Sequence, residues 1–96
     1  MKTLKEILKR DNHVWFGVDE EDKVEFLQYA KHNGCKWISG DEINPNEDNC
    51  SCFMGINNKR QLGYVSGMCW VSAGKSVVRK IKFKDVLGEV YEKSYY

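Results

Sequence analysis

The chain has 96 residues, 42% hydrophobic and 30% charged, and a net charge of +1. This is too short for two domains and too apolar for a disordered tail, and no apolar run approaches the ~20 residues a membrane span needs. Charges interrupt residues 1–10, so no secretory signal is expected and the chain is placed in the cytoplasm, as one domain spanning residues 1–96.

The small total hides an asymmetry. Residues 1–10 carry +3, residues 11–48 carry −7 and residues 49–96 carry +5. Such a split either makes a dipolar surface that orients a partner or is interleaved by the fold.

Thr3-Leu4-Lys5-Glu6 reads as a capping box, with Leu4, Ile7 and Leu8 on one helical stripe. Val14 to Val18 is apolar and β-prone, a buried strand. Asp19-Glu20-Glu21-Asp22 opens the clearest helix. Asp19 is its expected cap, the acids suit the positive end of the dipole, and Val24, Phe26, Leu27 and Ala30 form its core face. Gly34 is expected to end it.

Cys35 to Gly40 follows as a strand, and Asp41 to Asn49 as a long acidic loop with the only proline, Pro45. Cys50 to Ile56 and Gln61 to Ser66 read as a hairpin around Asn57–Arg60. Met68 to Val71 is expected to continue the second strand past a bulge at Gly67. Ser76 to Phe83 is a strand with basic residues largely on one face, and Asp85 caps a last helix that turns Val86, Leu87, Val90 and Tyr91 inward.

These elements predict an α+β fold: a small antiparallel sheet of four to five strands with helices packed on one face, the last three strands forming a meander. The predicted core is Trp15, Phe16, Val24, Leu27, Ala30, Trp37, Ile38, Phe53, Leu62, Val65, Val77, Ile81, Phe83 and Leu87.

Few residues suggest chemistry. The acidic run at residues 19–22 is accounted for as a helix start. Only His13 and His32 could serve as bases, and no nucleophile elbow accompanies them. Ala73-Gly74-Lys75-Ser76 ends like a phosphate loop but lacks the earlier glycine and precedes a strand. An enzyme is therefore not expected.

Cys35, Cys50, Cys52 and Cys69 read as reduced thiols buried as small apolar residues, and no cofactor is expected. The alternatives are a zinc ion held by all four and a disulfide framework. Cys50-x-Cys52 on a strand would separate its sulfurs by roughly 6–7 Å, which a tetrahedral site does not accept without a kink.

Lys75, Arg79, Lys80, Lys82 and Lys84 form a basic strip, but the acidic half opposes direct binding of nucleic acid. The acidic segment instead suggests carboxylates offered in place of phosphates to a nucleic-acid-binding protein.

Residues 26–40, a helix followed by Gly34-Cys35-Lys36-Trp37-Ile38-Ser39-Gly40, resemble a G-x-x-W-x-S-G pattern of small bacteriophage and mobile-element proteins. Leu62-Gly63-Tyr64-Val65 and Ile81 to Val86 extend the resemblance over roughly residues 14–90. Several proteins of this style inhibit bacterial defence, among them anti-CRISPR proteins that block single-effector, RNA-guided nucleases. The resemblance implies a non-catalytic inhibitor that binds a host defence effector stoichiometrically in the bacterial cytoplasm. Asp41, Glu42, Glu47 and Asp48 are its expected partner contacts.

The alternative is a protein that sequesters a cyclic nucleotide signal, with Trp37, Tyr64 or Trp70 stacking a base and Arg79 or Lys80 holding phosphate. A zinc-stabilised binding module is the third reading. The excess of aromatic residues, with Met68, Trp70, Tyr95 and Tyr96 outside the core pattern, predicts either a two-fold homodimer or a monomer whose patch awaits its target.

Overall fold

A computed structural model describes residues 4–10, 12–74 and 78–86. The elements are α1 (Leu4–Arg10), β1 (His13–Gly17), a 3-10 turn (Glu20–Asp22), α2 (Lys23–His32), β2 (Lys36–Trp37), β3 (Phe53–Asn57), β4 (Gln61–Tyr64), α3 (Gly67–Ser72), β5 (Arg79–Lys82) and α4 (Phe83–Val86). This is an α+β fold with one five-stranded sheet in the order β2-β4-β3-β1-β5.

The sheet is mixed. β1 with β3 and β3 with β4 are antiparallel, as a hairpin and its neighbour require, whereas β5 runs parallel to β1 and β2 parallel to β4. The expected meander therefore stops at β4. The chain crosses to the far side of β1, where Ile81 pairs in register with Phe16 and completes the apolar face.

Alternation gives the sheet two unlike faces. Val14, Phe16, Met54, Ile56 and Leu62 point to one side and are buried with Leu4, Ile7 and Leu8 of α1 and Phe26, Leu27 and Ala30 of α2. Phe26 lies 5.4 Å from Phe16 and 5.1 Å from Phe83, ring centre to ring centre, in tilted and edge-on contacts that favour aromatic quadrupoles. The opposite face carries His13, Trp15 and Gly17, in register with Asn57, Gly55 and Phe53. α3 lies on that side, so the helices occupy both faces rather than one.

Local chemistry explains the joints. α2 ends as its Asn33-Gly34 sequence predicts. Gly34 takes a left-handed φ of 81°, and the amides of Gly34 and Cys35 close on the carbonyls of Lys31 and Ala30. The hairpin turns through Arg60 at φ 62°, while the Asn57 side chain accepts from the amides of Lys59 and Gln61.

Several local expectations fail. Of the strand expected over Cys35 to Gly40 only Lys36–Trp37 pairs, and the chain turns from Ile38 to Gly40. Asp19 makes no capping hydrogen bond; its carboxylate lies 3.3 Å from Lys84 Nζ instead. Residues 67–72 form a helix because Ser66 caps it, accepting from the Cys69 amide at 3.1 Å. Phe83 begins α4 rather than ending β5, which places Asp85 inside that helix.

Of the predicted core, Phe16, Leu27, Ala30, Leu62, Val65 and Phe83 are buried, and Trp15, Trp37, Phe53 and Ile81 are half-buried. Val24 and Ile38 are exposed. Val77 and Leu87 lie outside the described residues, as do Thr3 of the capping box and Val90, Tyr91, Tyr95, Tyr96 and Lys75.

Candidate functional site

The acidic loop between β2 and β3 is built rather than loose. Ile43 is fully buried and anchors it. Asp48 organises it: one carboxylate oxygen accepts from the Trp37 indole and from the Asn44 amide, both at 2.7 Å. Those two donors, with Lys31 nearby, hold the Asp48 carboxyl below its ordinary value. Asp41 accepts from Ser39 Oγ at 3.1 Å and Glu47 from Asn44 Nδ2 at 3.0 Å, yet both stay exposed, as does Glu42. Three of the four expected partner contacts thus face solvent, and the fourth holds the loop together.

A depressed carboxylate contributes stability above its unfolded pKa and loses it as pH falls through the folded pKa. The loop should therefore open only below the ordinary value of 3.8. The Trp37 indole N–H resonance should shift in that range, and Asp48→Asn should abolish the titration.

Of the residues expected to hold a nucleotide, Trp70 and Lys80 meet while Trp37 and Tyr64 form a separate pair. Trp37 and Tyr64 pack together, 5.4 Å between ring centres, with the Tyr64 hydroxyl donating to the Asn49 carbonyl. Trp70 lies on the other side of the sheet beneath Lys80, whose Nζ is 5.5 Å from the indole centre and donates to the Ala73 carbonyl at 2.6 Å. Arg79 precedes Lys80 on β5 and so faces the opposite way.

The four cysteines are not gathered either. Cys35 and Cys50 are buried as expected, whereas Cys52 and Cys69 are exposed. Among the described residues the grouped acidic or thiol side chains are Asp19, Glu21 and Asp22, and Lys84 closes on that group at 2.7 Å from Glu21. This contact joins the basic C-terminal half to the acidic N-terminal half, so the two signs interleave here. Burial raises the Asp22 carboxyl above its ordinary value.

Burial also pushes the Cys35 and Cys50 thiols up to about 11. An aromatic disulfide reagent at pH 8 should therefore modify Cys52 and Cys69 quickly, and Cys35 and Cys50 only after unfolding. Peptide mapping of the early product checks the assignment.

The sheet face turned toward α3 carries a groove of about 250 Å³ that the sequence reading missed. Its lining includes His13, Trp15, Ile38, Gln61, Val65, Ser66 and Cys69, above Gly55 and Gly63. The two glycines are cross-strand partners. Trp15 Nε1 donates to His13 Nε2 at 2.9 Å, which places the hydrogen of the accepting imidazole on Nδ1, and partial burial lowers the His13 pKa. No Asp, Glu, Lys or Arg is among the described residues that line the groove. Of its lining residues Ile38 is 68% and Tyr64 60% exposed, and Met68 and Val71 of α3 are exposed as well.

Compared with known proteins, the chain matches no family model, no curated protein and no solved structure. Among the described residues no helix is long and apolar enough to cross a membrane.

Proposed function

We propose that the protein acts by binding rather than by chemistry, as a stoichiometric inhibitor that docks on a nucleic-acid-handling effector of a bacterial defence system. One observation carries this reading: an exposed apolar surface lies directly beside an ordered acidic loop. Ile38 and Tyr64 supply the apolar part. Asp41 is tied to the same turn through Ser39, and its carbonyl accepts from the Trp37 amide at 2.9 Å.

Exposed apolar side chains next to fixed carboxylates suit a basic, nucleic-acid-binding groove with an apolar wall. The carboxylates of Asp41, Glu42 and Glu47 would stand where phosphates otherwise sit. The resemblance of residues 26–40 to phage anti-defence proteins supplies the class of partner, with a single-effector RNA-guided nuclease as the first candidate.

The test mixes the purified chain with a purified RNA-guided nuclease and measures complex formation and target cleavage. Inhibition is expected near one-to-one stoichiometry and should weaken as salt rises. The triple reversal Asp41→Lys, Glu42→Lys, Glu47→Lys gives up the exposed bonds from Ser39 and Asn44 Nδ2 but keeps Asp48 and buried Ile43, which hold the loop, and should abolish binding. Unchanged binding by that variant would remove the electrostatic basis, and no binding to a panel of such effectors would remove the assignment.

A further inference from the structure

We infer that the glycine-floored groove receives one planar aromatic side chain of the partner protein, carried on a segment with basic neighbours. This rests on the binding reading above and adds what the partner must present.

The floor is the first observation. Glycine weakens a strand and is kept where something approaches the backbone closely. A side chain added at Gly55 would meet Trp15 Cδ1 at 3.0 Å and His13 Nε2 at 3.2 Å, so Gly55 lets the bonded Trp15–His13 pair lie against the sheet. Among the described residues, a side chain added at Gly63 would meet nothing within 4 Å. No contact among them accounts for the second glycine; the open space above it does.

The walls define the occupant. The Trp15 indole and His13 imidazole offer aromatic contact, and exposed Ile38 offers apolar area. A volume of about 250 Å³ suits one ring better than a drug-sized ligand, which takes roughly 300–1,000 Å³. His13 Nδ1–H adds a donor that its bond to Trp15 does not use, suited to a tyrosine hydroxyl.

Charge separates the remaining candidates. With no lysine or arginine among the described lining residues, a nucleotide phosphate has no partner there. The nearby acidic loop, reached from Ile38 through Ser39 and Asp41, favours lysine or arginine on either side of the ring.

The probe is the peptide acetyl-Arg-Tyr-Arg-amide, titrated into the isotopically labelled chain and followed by amide and indole resonances. Saturable shifts are expected at Gly55, Gly63 and the Trp15 indole, with slower alkylation of Cys69 and no change at Cys52. Acetyl-Arg-Ala-Arg-amide, acetyl-Glu-Tyr-Glu-amide and adenosine monophosphate should leave those resonances in place.

Gly63→Val fills the groove without touching the fold. It should keep the thermal midpoint and weaken the probe about tenfold or more. Equal shifts from the alanine peptide, a nucleotide bound in preference, or full affinity in Gly63→Val would each overturn the proposal. If that variant fails to fold, the Cys69 protection of the unaltered chain decides in its place.

The two proposals fail separately. Effector binding that survives Gly63→Val removes the aromatic pocket and keeps the inhibitor. Peptide binding without effector binding does the reverse.

Discussion

Phe83→Ala is expected to cost about 3–5 kcal/mol, a large part of the 5–15 kcal/mol available to a small domain. Phe83 is fully buried at the start of α4, with its ring 5.1 Å from Phe26 and 5.4 Å from Tyr29. Removing it opens a cavity between α2 and the sheet that no neighbouring side chain can enter without leaving its own contacts. It also detaches α4, whose four described residues have no stability of their own. Urea unfolding followed by far-ultraviolet dichroism measures the loss. Lys84→Ala, next in sequence, is the control. Its ion pairs with Asp19 and Glu21 are exposed and screened by solvent, so its midpoint should barely move. A loss at Phe83 no greater than at Lys84 would mean that α4 is not docked on α2.

The sequence revealed its elements better than their partners. The apolar run at residues 14–18, the helical wheel through Phe26, Leu27 and Ala30 and the stop at Gly34 each act within a few residues of chain, and the structure has a strand, a helix and a helix end there. Val24 nevertheless turns outward, and the acidic run before the helix is a 3-10 turn. Strand order depends on contacts made across the chain, and nothing local in residues 79–82 says whether they meet β4 or β1. Ile81 fits the apolar face of either.

Ser66 illustrates a near miss. Met68 to Val71 is apolar enough for a strand, and only the hydroxyl two residues earlier marks a helix start. The site followed the same rule. Asp41, Glu42 and Glu47 were legible as loop carboxylates, whereas Asp48 looked identical until its bond to Trp37, eleven residues away, was visible. The groove was hidden by register. A turn of Asn57–Arg60 places Gly55 opposite Leu62. Arg60 in the left-handed region lengthens the loop by one residue and brings Gly63 there instead.

Trp70→Ala should cost about 2–3 kcal/mol and dismantle one wall of the groove. No residue of α3 is fully buried, and at six residues the helix cannot hold itself together. Trp70 is its tether: the indole stacks on Phe53 at 4.6 Å and on Trp15 at 6.4 Å. Lys80 reinforces the joint from above, over the indole and onto the Ala73 carbonyl at the end of the helix. Without the indole, Ser66 and Cys69 lose their fixed place beside Gly63 and the pocket opens to solvent. Trp70→Phe keeps the stack and should recover most of the stability. The measurements are urea midpoints for both variants and the Cys69 alkylation rate in the presence of acetyl-Arg-Tyr-Arg-amide. Protection of Cys69 should vanish in Trp70→Ala and return in Trp70→Phe. A loss under about 0.5 kcal/mol, the usual span of a surface substitution, would mean that α3 is held by something other than its aromatic stack.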